Sequence, residues 1–175
     1  GLAIINNGGK IIEYLDPGAV YYLSPSGDYE RKQIVEPRHA ACFFEWNYIA
    51  HEDAVLDGRH VARIREFLGQ KLAEEHPPTD ADLVTFLPRC PEIAARAYAR
   101  ATNKPFSPVF YKMKSERAFQ GSTAQERAQS IEKNLYFLPD ARKIVEGKKV
   151  IVVDDSIIRG NNSKHAKNLL MEEGG

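Results

Sequence analysis

Two adjacent carboxylates follow a β-branched apolar run near the end of the sequence. In "KKVIVVDDSIIRGNNSKHAKNLL", residues 150–153 are Val-Ile-Val-Val and the next two are Asp154 and Asp155. A buried strand gains nothing from ending on two acids, because they repel each other and each is costly to dehydrate without a partner. The vicinal hydroxyls of a sugar or a hydrated Mg²⁺ would provide such partners. The pair therefore indicates a binding site at the end of a strand.

The residues after the acids favour the binding of a phosphate. They supply a flexible turn, backbone N–H groups, side-chain donors and the start of a helix, which together make a phosphate cradle. Acids that can bind hydroxyl groups lie beside amides that can bind a phosphate. Together they indicate a site for a sugar phosphate. The alternative is a strand end with solvated acids and an Asn/Ser helix cap, which is the commoner explanation of an isolated pair of acids. The cradle would consist of Gly160, Asn161, Asn162 and Ser163.

The segments around this motif predict a parallel sheet. Apolar residues have helical spacing in "GRHVARIREFLGQKLAEEH", and further helices are predicted in "PEIAARAYARATN" and from about Thr123. Short apolar strands, "LVTFLP", "FSPVFYK" and "KVIVV", alternate with these helices. Such alternation favours an α/β fold whose sheet is covered by helices on both faces. Ligands of these sheets bind at the carboxyl ends of the strands, where the two acids lie.

The first fifty residues have a different pattern. Short or alternating apolar runs are separated by turn signals at residues 6–9, 16–18 and 24–28. This pattern predicts a β-meander made only of strands. We therefore divide the chain into a β-rich segment, 1–50, and an α/β domain, 51–175.

Composition excludes several classes of function. Lys and Arg total 24, as do Asp and Glu, so no overall field attracts nucleic acid or an anionic membrane. No apolar run approaches the roughly 20 residues that span a bilayer. The two cysteines, Cys42 and Cys90, are far apart and form no zinc or disulfide pattern. We expect a cytoplasmic protein without nucleic-acid or membrane partners.

The string "VIVVDDSIIRGNNS" closely resembles the 5-phosphoribosyl-1-pyrophosphate (PRPP) motif of the type I phosphoribosyltransferases. In its "DDSIIRG" form it is most similar to the glutamine amidophosphoribosyltransferase family. "ACFFEWNYIAHEDAVLDG", "RIREFLGQKLAEE" and "VFYKMKSERAFQGSTAQERAQSIEKNL" are similar to the interdomain junction, the next helix and the catalytic loop of that family. The resemblance implies a type I phosphoribosyltransferase-like domain, truncated at its C-terminus. It also implies that residues 1–50 are the β-rich remnant of an N-terminal-nucleophile glutaminase domain.

The resemblance implies a role for each polar residue of the motif. Asp154 and Asp155 would hold the ribose hydroxyls and Mg²⁺. Ser156 and Arg159 would support the loop. The 5-phosphate would be held by Gly160, Asn161, Asn162 and Ser163.

Lys112, Lys114 and Arg117 would close over the pyrophosphate as the catalytic residues of a lid. Their segment, "YKMKSERAFQGS", follows an edge-like strand and has no apolar periodicity, so we expect it to be mobile when empty. A closed lid would neutralise the departing pyrophosphate and exclude water. The alternative, a solvated basic face, fits the charges equally well without the resemblance.

The implied reaction is the first step of de novo purine biosynthesis. PRPP and ammonia, which comes from glutamine in the complete enzyme, give 5-phosphoribosylamine and pyrophosphate. Purine nucleotides as inhibitors and a homo-oligomeric state are also implied. The glutaminase half uses an N-terminal cysteine, whereas this sequence begins with Gly1, so we expect no glutaminase activity from it. An iron–sulfur cluster needs about four thiolates, so we expect none.

Several positions depart from the pattern of the family. Asn161 and Asn162 replace a pair of threonines in the phosphate turn, and Arg89-Cys90-Pro91 replaces a turn that usually carries acids or hydroxyls. The adjacent aromatic pair of the family is altered to Trp46 and Tyr48. The departures in the phosphate turn and at residues 89–91 favour an alternative, a non-catalytic relative that binds PRPP or a nucleotide as a regulator, whereas we expect Trp46 and Tyr48 to serve packing. A purely structural α/β domain with solvated acids is the third possibility.

Overall fold

The computed structural model describes residues 1–113 and 134–172. Its N-terminal region contains one short helix, α1 (Leu2–Asn6), and one hairpin, β1 (Ala19–Leu23) with β2 (Tyr29–Gln33). The strands are antiparallel, and Ala19 lies opposite Gln33. The prediction of strands alone over residues 1–50 is therefore wrong at Leu2–Asn6, and it is also wrong at Glu45–Ile49, which form a π-helical turn. A strand needs a neighbour to satisfy its backbone, whereas a helix satisfies most of its backbone groups locally.

A short connecting segment leads from this region into the core. It consists of a π-helical turn (Glu45–Ile49) and a short hairpin whose two strands, β3 (Val55–Leu56) and β4 (Arg59–His60), have two residues each. Both central residues of the hairpin turn, Asp57 and Gly58, have positive φ angles, 47° and 72°. An Asp-Gly pair suits this geometry because it tolerates the left-handed region.

The α/β part is built around two parallel strands. Leu83 of β5 lies opposite Val150 of β8, and Val84 also forms a parallel bridge with Phe106 on the other side of β5. A separate antiparallel pair, β6 with β7, lies beside them. The elements are α2 (Val61–Glu75), β5 (Leu83–Phe86), α3 (Glu92–Ala101), β6 (Phe110–Lys112), β7 (Leu135–Phe137), α4 (Ala141–Val145), β8 (Val150–Val153) and α5 (Asn161–Glu172).

Helices cover both faces of this sheet, as the alternation of strands and helices predicts. Successive residues of β5 belong to different clusters: Val84 packs with Ala95 and Tyr98 of α3, whereas Leu83 packs with Leu170 of α5. Side chains of a strand alternate between its faces, so the two clusters lie on opposite sides. In the described part of the chain, no helix has the length and apolar character needed to cross a membrane.

The helices α2 and α3 approach each other closely at one glycine. A Cβ atom on Gly69 would lie 2.1 Å from the backbone oxygen of Ala94. Glycine therefore allows a contact between α2 and the backbone of α3 that other residues would prevent. The same stripe of α2 carries Val61, Arg65 and Ala73, which are also buried.

Candidate functional site

The two predicted acids lie at the carboxyl end of β8. Val153, the last residue of this strand, is buried, and its carbonyl accepts the N–H of Leu87 at 3.0 Å. Asp154 and Asp155 follow directly and are half-buried. Since β5 and β8 are parallel, the turn after β5 lies at the same edge of the sheet. The structure thus places the acids where an open α/β sheet forms its binding crevice.

Burial makes Asp154 difficult to ionise. Burial, followed by the charge of Asp155, raises the pKa of Asp154 to about 6. The backbone N–H of Asp155 donates to Asp154 Oδ1 at 2.9 Å, and the positive charge of Lys112 also favours the ionised form. These contacts only partly offset the cost of burial. A carboxylate in this state gains from any hydroxyl donor or cation that approaches it.

Asp155 has more partners than Asp154. Burial raises the pKa of its carboxyl group, and several contacts oppose that rise. The first is the Ser156 hydroxyl, which donates to Asp155 Oδ1 at 2.9 Å, and the charges of Lys112 and Arg65 act in the same direction. Ser156 therefore has a direct contact with the acid pair, and its supporting role stays a prediction.

The predicted phosphate turn begins a helix, as its sequence suggests. Gly160 has a φ of +71°, a conformation that L side chains rarely adopt, and its carbonyl accepts the N–H of Lys164 at 2.8 Å in the first turn of α5. The helix starts at Asn161; this residue and Asn162 are exposed, while Ser163 is half-buried. The first N–H groups of a helix lack partners within it and bind anions.

The remaining predicted residues form two groups. Some lie in the described part of the chain, and the others lie outside it. Lys112, at the end of β6, is close enough to the acids to lower the pKa of both carboxyl groups. Arg159 is exposed, after the exposed Ile157 and Ile158. Lys114 and Arg117 lie outside the described residues, with most of the predicted lid and the helix predicted from about Thr123.

Two residues missed by the sequence reasoning also contact this site. Asn47 donates its amide N–H to the backbone oxygen of Asp155 at 2.7 Å, although the two residues are 108 positions apart. Arg65 is only 4% exposed and donates to backbone oxygens of the connecting segment. Its place four residues after Val61 and four before Gly69, on the buried stripe of α2, was a signal in the sequence.

Cys90, one of the departures from the family pattern, is half-buried beside the acids. Its Sγ lies 3.7 Å from the backbone oxygen of Tyr48, to which it donates. Burial, with the nearby charge of Asp155, raises the pKa of the thiol. Cys90 is therefore a neutral thiol at neutral pH and links the turn after β5 to the connecting segment.

A groove of about 670 Å³ runs along the outer side of β8. It is mostly apolar, and one of its ends reaches Asp154 and Ser163. The acids and the start of α5 therefore border a concave surface. The rest of its lining comes from the length of β8, from the helices α2, α3 and α5, and from the loops after β5 and β8.

The donors at this site suit a hard cation. Asp154 and Asp155 present carboxylate oxygens, which Mg²⁺ prefers, and two adjacent half-buried acids have negative charge that a cation would offset. Mg²⁺ is commonly bound by one or two carboxylates together with substrate phosphates and water. The acid pair thus fits a metal ion that arrives with a phosphorylated ligand.

Comparisons with known proteins identify relatives of the chain. No protein-family model matches it. An amidophosphoribosyltransferase of Methanothermobacter thermautotrophicus is 32% identical over 168 residues, which are 95% of this chain and 35% of that protein. The chain is homologous to a segment of the amidophosphoribosyltransferases. It spans about a third of the length of the curated relatives it matches.

Solved structures agree with this homology. The structure described as the allosteric regulatory enzyme of purine biosynthesis is 30% identical, with a TM-score of 0.80 over 99% of this chain and 37% of that chain. The glutamine PRPP amidotransferase of B. subtilis, complexed with ADP and GMP, is 32% identical, with a TM-score of 0.73 over 93% and 36%. The resemblance read from the sequence is confirmed, and so is an α/β fold of the type I phosphoribosyltransferase kind.

Proposed function

We propose that the chain is the phosphoribosyl-transferring part of an amidophosphoribosyltransferase, a glycosyltransferase that transfers a pentosyl group. The reaction converts PRPP and ammonia to 5-phosphoribosylamine and pyrophosphate, the first step of de novo purine biosynthesis. One observation carries the proposal: a half-buried acid pair and a Gly-initiated helix N-terminus follow one strand in a chain homologous to these enzymes. Glutamine is the proposed source of ammonia in the complete enzyme.

The acid pair and the phosphate turn bind the two ends of ribose 5-phosphate in this proposal. The carboxylates of Asp154 and Asp155 accept hydrogen bonds from the ribose hydroxyls. Backbone N–H groups at Asn161, Asn162 and Ser163, with their side chains, donate to the 5-phosphate. Binding at both ends fixes C1 of the ribose, so the protein contributes mainly orientation and charge stabilisation.

Displacement at C1 needs stabilisation of the leaving group. The C1–O bond breaks and its electron pair leaves with pyrophosphate, the nitrogen of ammonia forms the new C–N bond, and one proton passes to solvent. Lys112 is already near the acids, and together with Lys114 and Arg117 it would neutralise the pyrophosphate. Mg²⁺, when bound with PRPP, supplies further positive charge to the pyrophosphate.

We also propose the division of the chain at residues 50 and 51. Residues 1–50 would be the end of a glutaminase domain, and residues 51–175 the phosphoribosyltransferase domain. The first buried residue of the chain, Val61, lies shortly after this division, which supports it. A cytoplasmic location, a homo-oligomeric state and inhibition by purine nucleotides belong to the same proposal.

Turnover with ammonia tests the proposal. The intact protein should release pyrophosphate from PRPP when Mg²⁺ and ammonia are present. Lys112→Ala should lower kcat by about 100-fold, because it removes positive charge where the leaving group develops negative charge. Lys143→Ala is the matched control, since this exposed lysine lies in α4 and does not line the groove that reaches Asp154. Its kcat should equal that of the wild type.

The outcome separates transfer from binding alone. If the protein binds PRPP but releases no pyrophosphate, the proposed transferase activity is contradicted and a regulatory PRPP-binding protein is favoured. Equal kcat in Lys112→Ala and the wild type would remove Lys112 from the catalytic residues. Binding of neither PRPP nor a nucleotide would contradict both functions.

A further inference from the structure

The connecting segment lies against the acid pair, although Asn47 and Asp155 are 108 positions apart in the sequence. Asn47 donates its side-chain N–H to the backbone oxygen of Asp155 at 2.7 Å. Next to it, the backbone oxygen of Tyr48 accepts the thiol of Cys90. The π-helical turn (Glu45–Ile49) therefore contacts two loops at the carboxyl edge of the sheet, the loop after β5 and the loop after β8.

Arg65 holds this turn through hydrogen bonds to its backbone. Its Nε donates to the backbone oxygen of Trp46 at 3.0 Å, and one Nη donates to that of Ala50 at 2.9 Å. The turn is closed by the N–H of Ala50, which donates to the oxygen of Glu45 at 2.9 Å. A buried guanidinium must have such partners, because an unpaired buried charge is costly. Arg65 and the turn therefore stabilise each other's positions.

The acids need an external restraint. Asp154 and Asp155 repel each other and are partly buried, so movement of the loop toward water would relieve both costs. The hydrogen bond from Asn47 holds the backbone of Asp155 at the point where β8 has ended. This hydrogen bond links Asn47 to the loop after β8, and Asn47 does not have to contact a bound ligand to have this effect.

We infer that Asn47 is a positioning residue for the acid pair, and that Arg65 holds the turn that carries it. The inference rests on the proposed function, because it assigns the acids to PRPP. It makes the connecting segment part of the site: a movement of residues 45–50 changes the backbone at Asp155, and ligand binding at Asp155 changes the environment of the turn. Neither Asn47 nor Arg65 is a catalytic residue.

The single tryptophan of the chain reports on this link. Trp46 precedes Asn47, is half-buried and accepts the hydrogen bond from Arg65. Binding of PRPP with Mg²⁺ should therefore change the emission of Trp46 in the wild-type protein. This signal measures coupling, which a loss of stability alone would not remove once the ligand is saturating.

The test compares variants of two asparagines in the intact protein. Asn47→Leu keeps the size of the side chain but removes the donor, and Asn47→Gln keeps an amide donor on a longer arm. Asn7→Leu is the matched control, because Asn7 also donates an amide N–H to a backbone oxygen, that of Ala3 at 2.8 Å. Calorimetry with PRPP and Mg²⁺ gives the affinity, and Trp46 emission is measured at saturation.

Asn47→Leu should bind PRPP with Mg²⁺ about 3- to 10-fold more weakly, as expected for one lost hydrogen bond. Its ligand-induced change in Trp46 emission should be at most half that of the wild type. Asn47→Gln should recover part of both effects, and Asn7→Leu should show neither. Arg65→Lys should fall between the wild type and Asn47→Leu.

Two results would overturn the inference, and they are distinguishable. If the wild type binds PRPP and Asn47→Leu matches it in affinity and emission change, the inference is wrong while the proposed function stands. If the wild type binds no PRPP, the proposed function fails and the inference fails with it. Misfolding of Arg65→Lys would leave the Asn47 comparison intact as the deciding test.

Discussion

Different interactions stabilise residues 1–60 and the described part of residues 61–172. The structure describes all of residues 1–60, and none of them is buried, whereas the described part of 61–172 contains two hydrophobic clusters. Leu23 in β1 is 74% exposed and Leu83 in β5 is 3% exposed, although both lie in strands. In the first region, local hydrogen bonds hold the β1/β2 hairpin, and hydrogen bonds with Arg65 and Asp155 hold the connecting segment. The second region is ordered by packing. The acid pair lies in the packed region.

Charged residues show the same difference. Asp16 forms an ion pair with Arg31 between exposed side chains, and such pairs contribute little to stability. Asp154 is half-buried and has a raised pKa. An acid that is costly to ionise and lies at a crevice is a better indicator of function than an exposed ion pair.

The largest predicted effect tests the packing difference directly. Leu83→Ala should lower the free energy of unfolding by about 2 to 5 kcal/mol, because it leaves a cavity in the core. Leu23→Ala, the same substitution in the exposed hairpin, should change it by about 0.5 kcal/mol or less. Denaturant unfolding followed by circular dichroism measures both. Equal losses would show that residues 1–60 pack more tightly than their exposure indicates.

A smaller effect is predicted for the pH dependence of stability. The pKa of Asp154 is raised from 3.8 to about 6, so the folded state binds a proton more tightly than the unfolded state. The stability associated with this proton is present below pH 3.8 and is lost as the pH rises through 6. Asp154→Asn should therefore be more stable than the wild type at pH 7, by about 1 to 2 kcal/mol, and similar to it at pH 3.5.

Asp53→Asn is the control for this prediction, because the Asp53 side chain is 73% exposed. At pH 7 its free energy of unfolding should lie within about 0.5 kcal/mol of that of the wild type, as for other substitutions of exposed side chains. A wild-type stability that rises between pH 4 and pH 7, with the rise lost in Asp154→Asn, would mean that the carboxylate is stabilised in the fold.

Local patterns in the sequence predicted the elements that position the site. The β-branched run ending at Val153 became β8, and the helical spacing from Val61 became α2, because both patterns match elements buried in the core. The segment Leu2–Asn6 was predicted as a strand and is a helix. Residues 1–60 lack a core that would select one structure for a short apolar run, so pattern alone could not decide.

Long-range contacts were beyond prediction from the sequence. Nothing in the residues around Asn47 indicates that its amide reaches Asp155, because that contact depends on how the connecting segment crosses the sheet. The roles of Lys114 and Arg117 remain predictions, since residues 114–133 lie outside the description. The acids were predictable because two carboxylates after an apolar strand conflict with burial unless they bind something.

Calorimetric titration of PRPP with Mg²⁺ tests most directly whether the acid pair belongs to a binding site. The account predicts that the wild type and Asp53→Asn bind with equal affinity. It predicts that Asp154→Asn and Asp155→Asn, while remaining folded, each lose about 1.5 to 3 kcal/mol of binding free energy, the cost of a charge-assisted contact. Wild-type affinity in both Asp154→Asn and Asp155→Asn would contradict the account.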